Sequence, residues 1–367
     1  MTAQSLILTK DVVVVGSDLA ITTPDNKSYT TGKKIFSPDS NYPVAVMING
    51  YIDFEDISLE TLIGEFAKNT NFNNVKTIKE IKNSFIDYLQ KNTQYTSSDE
   101  YLRWILDSFK ENIAEEINEY GFKDVISYKK RKELLPFIEE YENFDREFFD
   151  IITEADKRKY NQILWEIFSY ELSFEGSGII FAGFDEKHYY PSFFEINIFC
   201  NDNGKLIYEE VDSKENSRDP IIKVFAINEE AYTFITGVSS EFENELIEFI
   251  EESNVNIMNN INWYLKNEKF DEKTIEKLRE MIELFIDDEN TELTKNILNF
   301  KLKTLNSTTK ALKYLPIPII CNLADYLIKL TALKQKLSSE LETVSSETDI
   351  AIVTKVDNFK WKNHGSI

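Results

Sequence analysis

The stretch Val12-Val13-Val14-Val15-Gly16-Ser17-Asp18 decides the fold of this 367-residue chain. Its four consecutive β-branched residues favour a strand that is buried on both faces, and Asp18 follows shortly after that strand. Thr2 precedes Asp18 by 16 residues, and Lys34 follows it by 16 residues and begins another short strand. A further buried strand ends at Gly50. The chain therefore opens as a series of strands with single polar residues or glycines at their ends.

Predicted strands and helices follow one another in long blocks. The first fifty residues, Ile179–Phe184, 193–199, Asp349–Thr354 and 359–361 read as strands, and about 56–170 and 229–342 read as helices. No β-α-β alternation is visible, which disfavours a parallel nucleotide-binding sheet. We expect an α+β fold of mostly antiparallel sheets flanked by helical layers. Because strands come from both ends of the chain, we expect one domain over residues 1–367.

The composition excludes several classes of function. The chain holds 64 Asp and Glu residues against 41 Lys and Arg residues, a net charge of −23, which argues against nucleic acid and anionic membranes as partners. Two cysteines exclude a disulfide scaffold, and two distant histidines, His188 and His364, make a histidine metal site unexpected. Neither a membrane-spanning segment nor a secretory signal is visible. We expect a cytoplasmic protein without a metal or cofactor.

The layout of the first fifty residues resembles that of the proteasome β subunit and the related bacterial proteasome-like proteases. Both are N-terminal nucleophile (Ntn) hydrolases. Thr2, Asp18 and Lys34 match that family's spacing of threonine, aspartate and lysine without a gap, and the strand that ends at Gly50 matches its next hydrophobic strand. The chain looks closest to a divergent bacterial branch of this family.

Two later stretches follow the same family order. Ala182–Glu186 is similar to the family's "A-G-[YF]-D" strand end, and Glu342–Ser346 is similar to its "D-x-x-S-G-G" motif. The resemblance implies a four-layer αββα sandwich, within which helical stretches at about 70–170 and 240–335 are insertions. It also implies a homo-oligomer, either a ring or a dimer.

The resemblance assigns the central chemistry to three residues. Thr2, made N-terminal by removal of Met1, would be the nucleophile, and its α-amine, with a usual pKa of about 7.7–8.0, would be the base. A nearby Lys34 cation would favour the neutral amine by like-charge repulsion. Asp18 would hold Lys34 charged and oriented. The implied reaction is cleavage of an amide bond in a peptide or small amide.

Three further residues take supporting roles by the same resemblance. The backbone N–H of Gly50 would stabilise the developing oxyanion. Glu342 and Ser345 would orient the amine of Thr2. The full set of predicted catalytic residues is Thr2, Asp18, Lys34, Gly50, Glu342 and Ser345.

Some positions depart from the family pattern and keep other functions open. The stretch 224–228 lacks the serine that the family places near the nucleophile, Glu342 replaces an aspartate, and Ser346-Glu347 replaces Gly-Gly. The alternatives are a catalytically inactive scaffold or binding protein with this fold, and a small-amide acylase. Retention of Met1 would favour the scaffold.

Other candidates for chemistry have simpler interpretations. His188 is expected in a hairpin loop, and Ser177 lacks the G-x-S-x-G pattern of a nucleophile elbow. The run Glu248-Phe249-Ile250-Glu251-Glu252 pairs carboxylates, but we interpret its acids as the solvated face of a helix whose Phe249 and Ile250 face the core.

Overall fold

A computed structural model describes nine ranges of the chain, namely residues 2–22, 28–29, 32–55, 57–92, 176–202, 205–227, 229–267, 272–338 and 342–364. The helices expected over 93–170 lie outside these residues. The described ranges contain the strands and helices that position the candidate site.

The strands of the described ranges form two larger sheets and two short hairpins. Their bounds are β1 (Ala3–Leu8), β2 (Val13–Asp18), β3 (Ile21–Thr22), β4 (Ser28–Tyr29), β5 (Ile35–Phe36), β6 (Val44–Gly50), β7 (Asp53–Phe54), β8 (Ile57–Ser58), β9 (Ser177–Phe184), β10 (Pro191–Asp202), β11 (Lys205–Lys214), β12 (Ile221–Ala226), β13 (Thr348–Thr354) and β14 (Asn358–Asn363). Strands β7, β8, β11 and β12 were absent from the predicted set. The other predicted strands in the described ranges are confirmed.

Within the described ranges, two helices precede the second block of strands and four follow it. They are α1 (Leu59–Asn69), α2 (Ile78–Asn92), α3 (Glu229–Thr236), α4 (Ser240–Asn267), α5 (Glu272–Leu312) and α6 (Ile317–Leu337). Helix α1 begins where predicted because Ser58 caps it, its hydroxyl accepting a hydrogen bond from the Thr61 N–H.

The first sheet joins the two ends of the described chain. Its strand order is β12-β1-β2-β13-β14, and every pairing in it is antiparallel. Strand β2 lies between β1 and β13, so Ser17 pairs with Gln4 and Asp18 pairs with Thr348. This register places the end of β2 beside both the beginning of β1 and the beginning of β13.

The second sheet is also antiparallel, with strand order β11-β10-β9-β6-β5. Three apolar clusters show how it packs. One lies between the two sheets and includes Leu6, Val15 and Met47. A second joins the other face of this sheet to α1 and α2, and a third joins the first sheet to α3 and α6. The prediction of an α+β fold with antiparallel sheets and helical cover is confirmed.

The regions predicted as insertions contain helices of two kinds. Helices α2 and α6 supply buried side chains to the clusters beside the sheets. Helix α4 instead packs against α5, which also contacts α3 and adds Leu312 to the cluster beside the first sheet. The extent of the insertions, like the single domain, stays a prediction.

One side-chain prediction in this region is wrong. Phe249 does not face the core, because 66% of its surface is exposed on α4. Helix α4 is paired with α5 on one side, so its outer side lacks a packing neighbour among the described residues.

A strained residue ends strand β12. Ala226 has φ +60°, in the left-handed region that costs an L-residue roughly 1–2 kcal/mol. It pairs with Ala3, and the next residue, Ile227, donates its N–H to the carbonyl of Thr2 at 2.9 Å. The chain thus adopts an unfavourable backbone conformation where it contacts the start of β1.

We predict that Ala226→Gly stabilises the protein by about 0.5–1 kcal/mol, since glycine removes the strain but adds some chain entropy. The midpoint of urea unfolding measures this. Ala351→Gly is the matched control, because Ala351 lies in the middle of β13, and it should lower stability by about 1 kcal/mol. A lower midpoint for Ala226→Gly would contradict the assignment of strain.

Candidate active site

The centre of the candidate site is the carboxylate of Asp18, which is fully buried at the end of β2. Its Oδ1 accepts hydrogen bonds from Lys34 Nζ at 2.8 Å and from the Ala3 N–H at 3.0 Å. Its Oδ2 accepts from the Ala20 N–H at 2.9 Å and the Ser345 N–H at 3.2 Å. Four donors from four segments of the chain therefore satisfy one buried carboxylate.

Lys34 is as deeply buried as its partner, with 2% of its surface exposed. It directly precedes β5, and its carbonyl accepts a hydrogen bond from the Ile48 N–H in β6 at 3.0 Å. Burial lowers the pKa of its ammonium below the usual value, and the neighbouring Asp18 opposes this shift without cancelling it. The contact at 2.8 Å is compatible with a role of Asp18 in orienting Lys34. Burial acts in the opposite direction on the charge, because it makes the ammonium of Lys34 easier to deprotonate.

Thr2 directly precedes β1 and is followed by Ala3, whose backbone N–H contacts the ion pair. The following amide, that of Ala3, donates to Asp18, and the carbonyl of Thr2 accepts from Ile227. Both contacts therefore hold one group, the peptide bond between Thr2 and Ala3. Thr2 itself is 4% exposed.

Gly50 ends β6 in a conformation that suits glycine. Its φ is +75°, and a Cβ at this position would lie 2.5 Å from the carbonyl oxygen of Gly176. The turn is connected to β9, because the Ser177 hydroxyl donates to the carbonyl of Tyr51 at 2.9 Å. Any side chain at position 50 would therefore displace the end of β6.

The two C-terminal candidates differ in position. Ser345 reaches the site through its backbone N–H, which binds Asp18, while its hydroxyl accepts from the Glu347 N–H at 3.0 Å. The loop is held by Gln335, whose Oε1 accepts from the N–H groups of Thr343 and Val344. The side chain of Glu342 is exposed. The structure brings Thr2, Asp18, Lys34 and Ser345 together.

A bridge between two side-chain amides, those of the buried Gln4 and the half-buried Asn49, connects β1 to the end of β6 and was missed by the sequence analysis. Gln4 Nε2 donates to the carbonyl of Ile48 at 2.7 Å and to the Ser17 hydroxyl at 3.3 Å. Gln4 Oε1 accepts from Asn49 Nδ2 at 3.3 Å. The bridge fixes the segment before Gly50 relative to the strand that follows Thr2. The available signal was a glutamine directly before the first predicted strand.

Other polar residues of the sequence analysis have structural roles. Asp185 accepts hydrogen bonds from the Ile78 N–H at the start of α2 and from the Ser192 hydroxyl, and its carboxylate pairs with His188 Nδ1 at 2.8 Å. In the described ranges, no three His, Cys, Asp or Glu side chains gather closely enough to hold a metal ion. None of the helices in those ranges combines the length and the hydropathy that a membrane crossing requires.

Comparison with known proteins gives a distant structural match. No family model matches this chain, and no curated protein matches it by sequence. Among solved structures, the chain is similar to the Anbu (Gly-1) mutant from Hyphomicrobium sp. strain MC1. The alignment covers 99% of this chain and 85% of that chain, with 7% sequence identity and a TM-score of 0.38. The chemistry of the site therefore has to follow from its own geometry.

We predict that Lys34→Met lowers the free energy of unfolding by about 3–5 kcal/mol, because it leaves the buried charge of Asp18 without its cation. Urea unfolding measures the change. Lys33→Met is the control one residue away, since Lys33 pairs with Glu60 on the surface and should contribute no more than about 1 kcal/mol. Equal midpoints for the two variants would contradict a buried pair.

The stabilising effect of Lys34 should increase with pH. Its pKa in the folded chain lies below the unfolded value of about 10.5, so the unfolded chain binds more protons between these two values. Stability conferred by this residue therefore rises as pH passes from the folded pKa towards 10.5. We predict a larger difference in unfolding free energy between wild type and Lys34→Met at pH 9.5 than at pH 7. A smaller difference at pH 9.5 would refute the lowered pKa.

Proposed function

We propose that this chain is a proteasome-like N-terminal nucleophile hydrolase, a four-layer αββα sandwich that cleaves amide bonds in peptides or small amides. One observation carries the proposal. The buried Lys34–Asp18 pair shares a carboxylate oxygen with the amide of Ala3, the residue that follows Thr2, and this shared oxygen supports a role for Lys34 at Thr2.

In the proposed reaction, Thr2 is N-terminal after removal of Met1. Its hydroxyl oxygen attacks the carbonyl carbon of the substrate, and its α-amine accepts the hydroxyl proton. Collapse of the tetrahedral intermediate breaks the C–N bond, and the leaving amine takes that proton. Water then attacks the resulting ester, which releases the acid and restores the hydroxyl of Thr2. The positive charge of Lys34 favours the neutral amine before the attack.

Gly50 is the proposed oxyanion donor. A single backbone donor of this kind contributes about 3 kcal/mol to the stabilisation of a transition state. The Gln4–Asn49 bridge supports the assignment, since it connects the residue before Gly50 to the strand that follows Thr2. The backbone at Gly50 also lies so close to the carbonyl of Gly176 that a side chain does not fit, which leaves this segment little room to move.

The C-terminal residues support the ion pair. Ser345 acts on the amine of Thr2 through its backbone N–H, which holds Asp18 in place. Glu342 would orient the amine by the family resemblance, but its exposed side chain lends this role no support. A cytoplasmic location and assembly into a homo-oligomer complete the proposal.

An inactive scaffold with the same fold is the second candidate. Two observations favour it: Thr2 is 4% exposed, and the backbone segment against it is Ala226-Ile227, which carries no hydroxyl. In such a protein the ion pair would serve to join strands. A small-amide acylase would use the site as proposed on a smaller substrate.

Hydrolysis of a panel of peptide and small-amide substrates tests the proposal. We predict that Thr2→Ala lowers turnover by at least about a thousandfold, whereas Thr2→Ser retains activity because it keeps a hydroxyl and an α-amine. Intact mass spectrometry of each variant checks that Met1 has been removed. A mass that includes Met1, or equal turnover by wild type and Thr2→Ala, would favour the scaffold.

A further inference from the structure

Helix α4 carries an apolar stripe on its exposed side. Phe242, Phe249, Ile257 and Tyr264 each expose half or more of their surface, and they follow one another at steps of seven, eight and seven residues. With 3.6 residues per turn, these steps keep the four side chains along one side of the helix. An exposed apolar stripe of this length on a helix indicates an interaction surface.

A long segment in the second half of the same helix is uncharged. Residues 253–265 contain no Asp, Glu, Lys or Arg, although 29% of the chain is charged. Trp263 lies in this segment with 69% of its surface exposed. The centres of protein–protein interfaces are depleted in charged residues and enriched in aromatic residues. Residues 253–265, which we name the neutral segment, therefore have the composition of an interface centre.

The chemistry of the neutral segment favours a second copy of this chain as its partner. The segment exposes the amides of Asn256, Asn259 and Asn260, and each amide is both a hydrogen-bond donor and an acceptor. Such a surface is complementary to itself, as a two-fold interface requires. The preceding residues 241–252 carry six Glu and no Lys or Arg, so the same residues from two copies would repel each other.

We propose that α4 helices of two copies pack antiparallel around a two-fold axis near Ile257. This register places Phe249 of one copy opposite Tyr264 of the other and keeps the two glutamate-rich segments apart. Helix α4 has 28 residues and is roughly 42 Å long. The exposed side chains of its stripe and its neutral segment offer on the order of 800 Å² per partner, the size of a standard specific interface. The interface is independent of the proposed hydrolase activity.

Sedimentation velocity of the full chain, from nanomolar to high micromolar concentration, tests the dimer. We expect a concentration-dependent dimer whose dissociation constant rises about tenfold or more in both Ile257→Asp and Trp263→Asp. Val356→Asp is the matched control, because it adds the same charge at an apolar residue that is 90% exposed in another part of the molecule. Its dissociation constant should be that of the wild type, and circular dichroism checks that all variants fold.

Cross-linking locates the interface. Under oxidising conditions, Asn256→Cys should form a disulfide-linked dimer in high yield, because its position lies beside the proposed axis, whereas Val356→Cys and the unsubstituted chain should not. A chain that stays monomeric at every concentration would overturn the proposal. So would an assembly that is identical in Ile257→Asp, Trp263→Asp and Val356→Asp, since the copies would then associate through another surface.

Discussion

The buried ion pair between Lys34 and Asp18 is the interaction on which the rest of this structure depends. Removing two charges from water costs several kcal/mol per ion, and the pair is stable only where further hydrogen bonds satisfy the carboxylate. Those bonds come from Ala3, Ala20 and Ser345. The start of β1, the end of β2, the residue before β5 and the loop before β13 must therefore all be in place together. The hydrogen bonds to this one carboxylate therefore connect the two sheets and both ends of the described chain.

The backbone around the pair is constrained as tightly as the pair itself. Ala226 holds a left-handed conformation where β12 contacts Thr2, and Gly50 holds a conformation that suits glycine at the end of β6. Gln4 spans the space between the sheets and binds Ile48 and Asn49, the two residues before Gly50. Backbone strain and buried polar contacts often occur together at functional sites. Both are costly, so the surrounding packing has to stabilise them.

Much of the fold could be predicted from the sequence because its buried strands are continuous apolar runs. Val12–Val15 and Val44–Ile48 are such runs, and both form central strands. Strand β11 was missed because residues 209–214 carry three acids and a lysine, a pattern that a solvated edge strand tolerates. Phe249 was misplaced because periodicity shows that a helix has an apolar side, but it does not show which neighbour covers that side.

The spacing of Thr2, Asp18 and Lys34 predicted residues that the fold does bring together, since each stands at the end of a strand with a fixed register. Contacts made by backbone groups were beyond sequence analysis. The N–H of Ser345 binds Asp18, and the amide of Gln4 meets the carbonyl of Ile48. Side-chain identity alone does not specify either contact, because each depends on the relative placement of distant segments.

The central claim is that the buried ammonium of Lys34 activates Thr2. The most direct measurement is the rate at which an electrophile directed at N-terminal threonine labels the chain, with the labelled residue located by peptide mass spectrometry. We expect labelling of Thr2 in the wild type, a rate at least about tenfold lower in folded Lys34→Met, and an unchanged rate in Lys33→Met. Labelling of Thr2 at equal rates in all three proteins, or no labelling after Met1 has been removed, would contradict it.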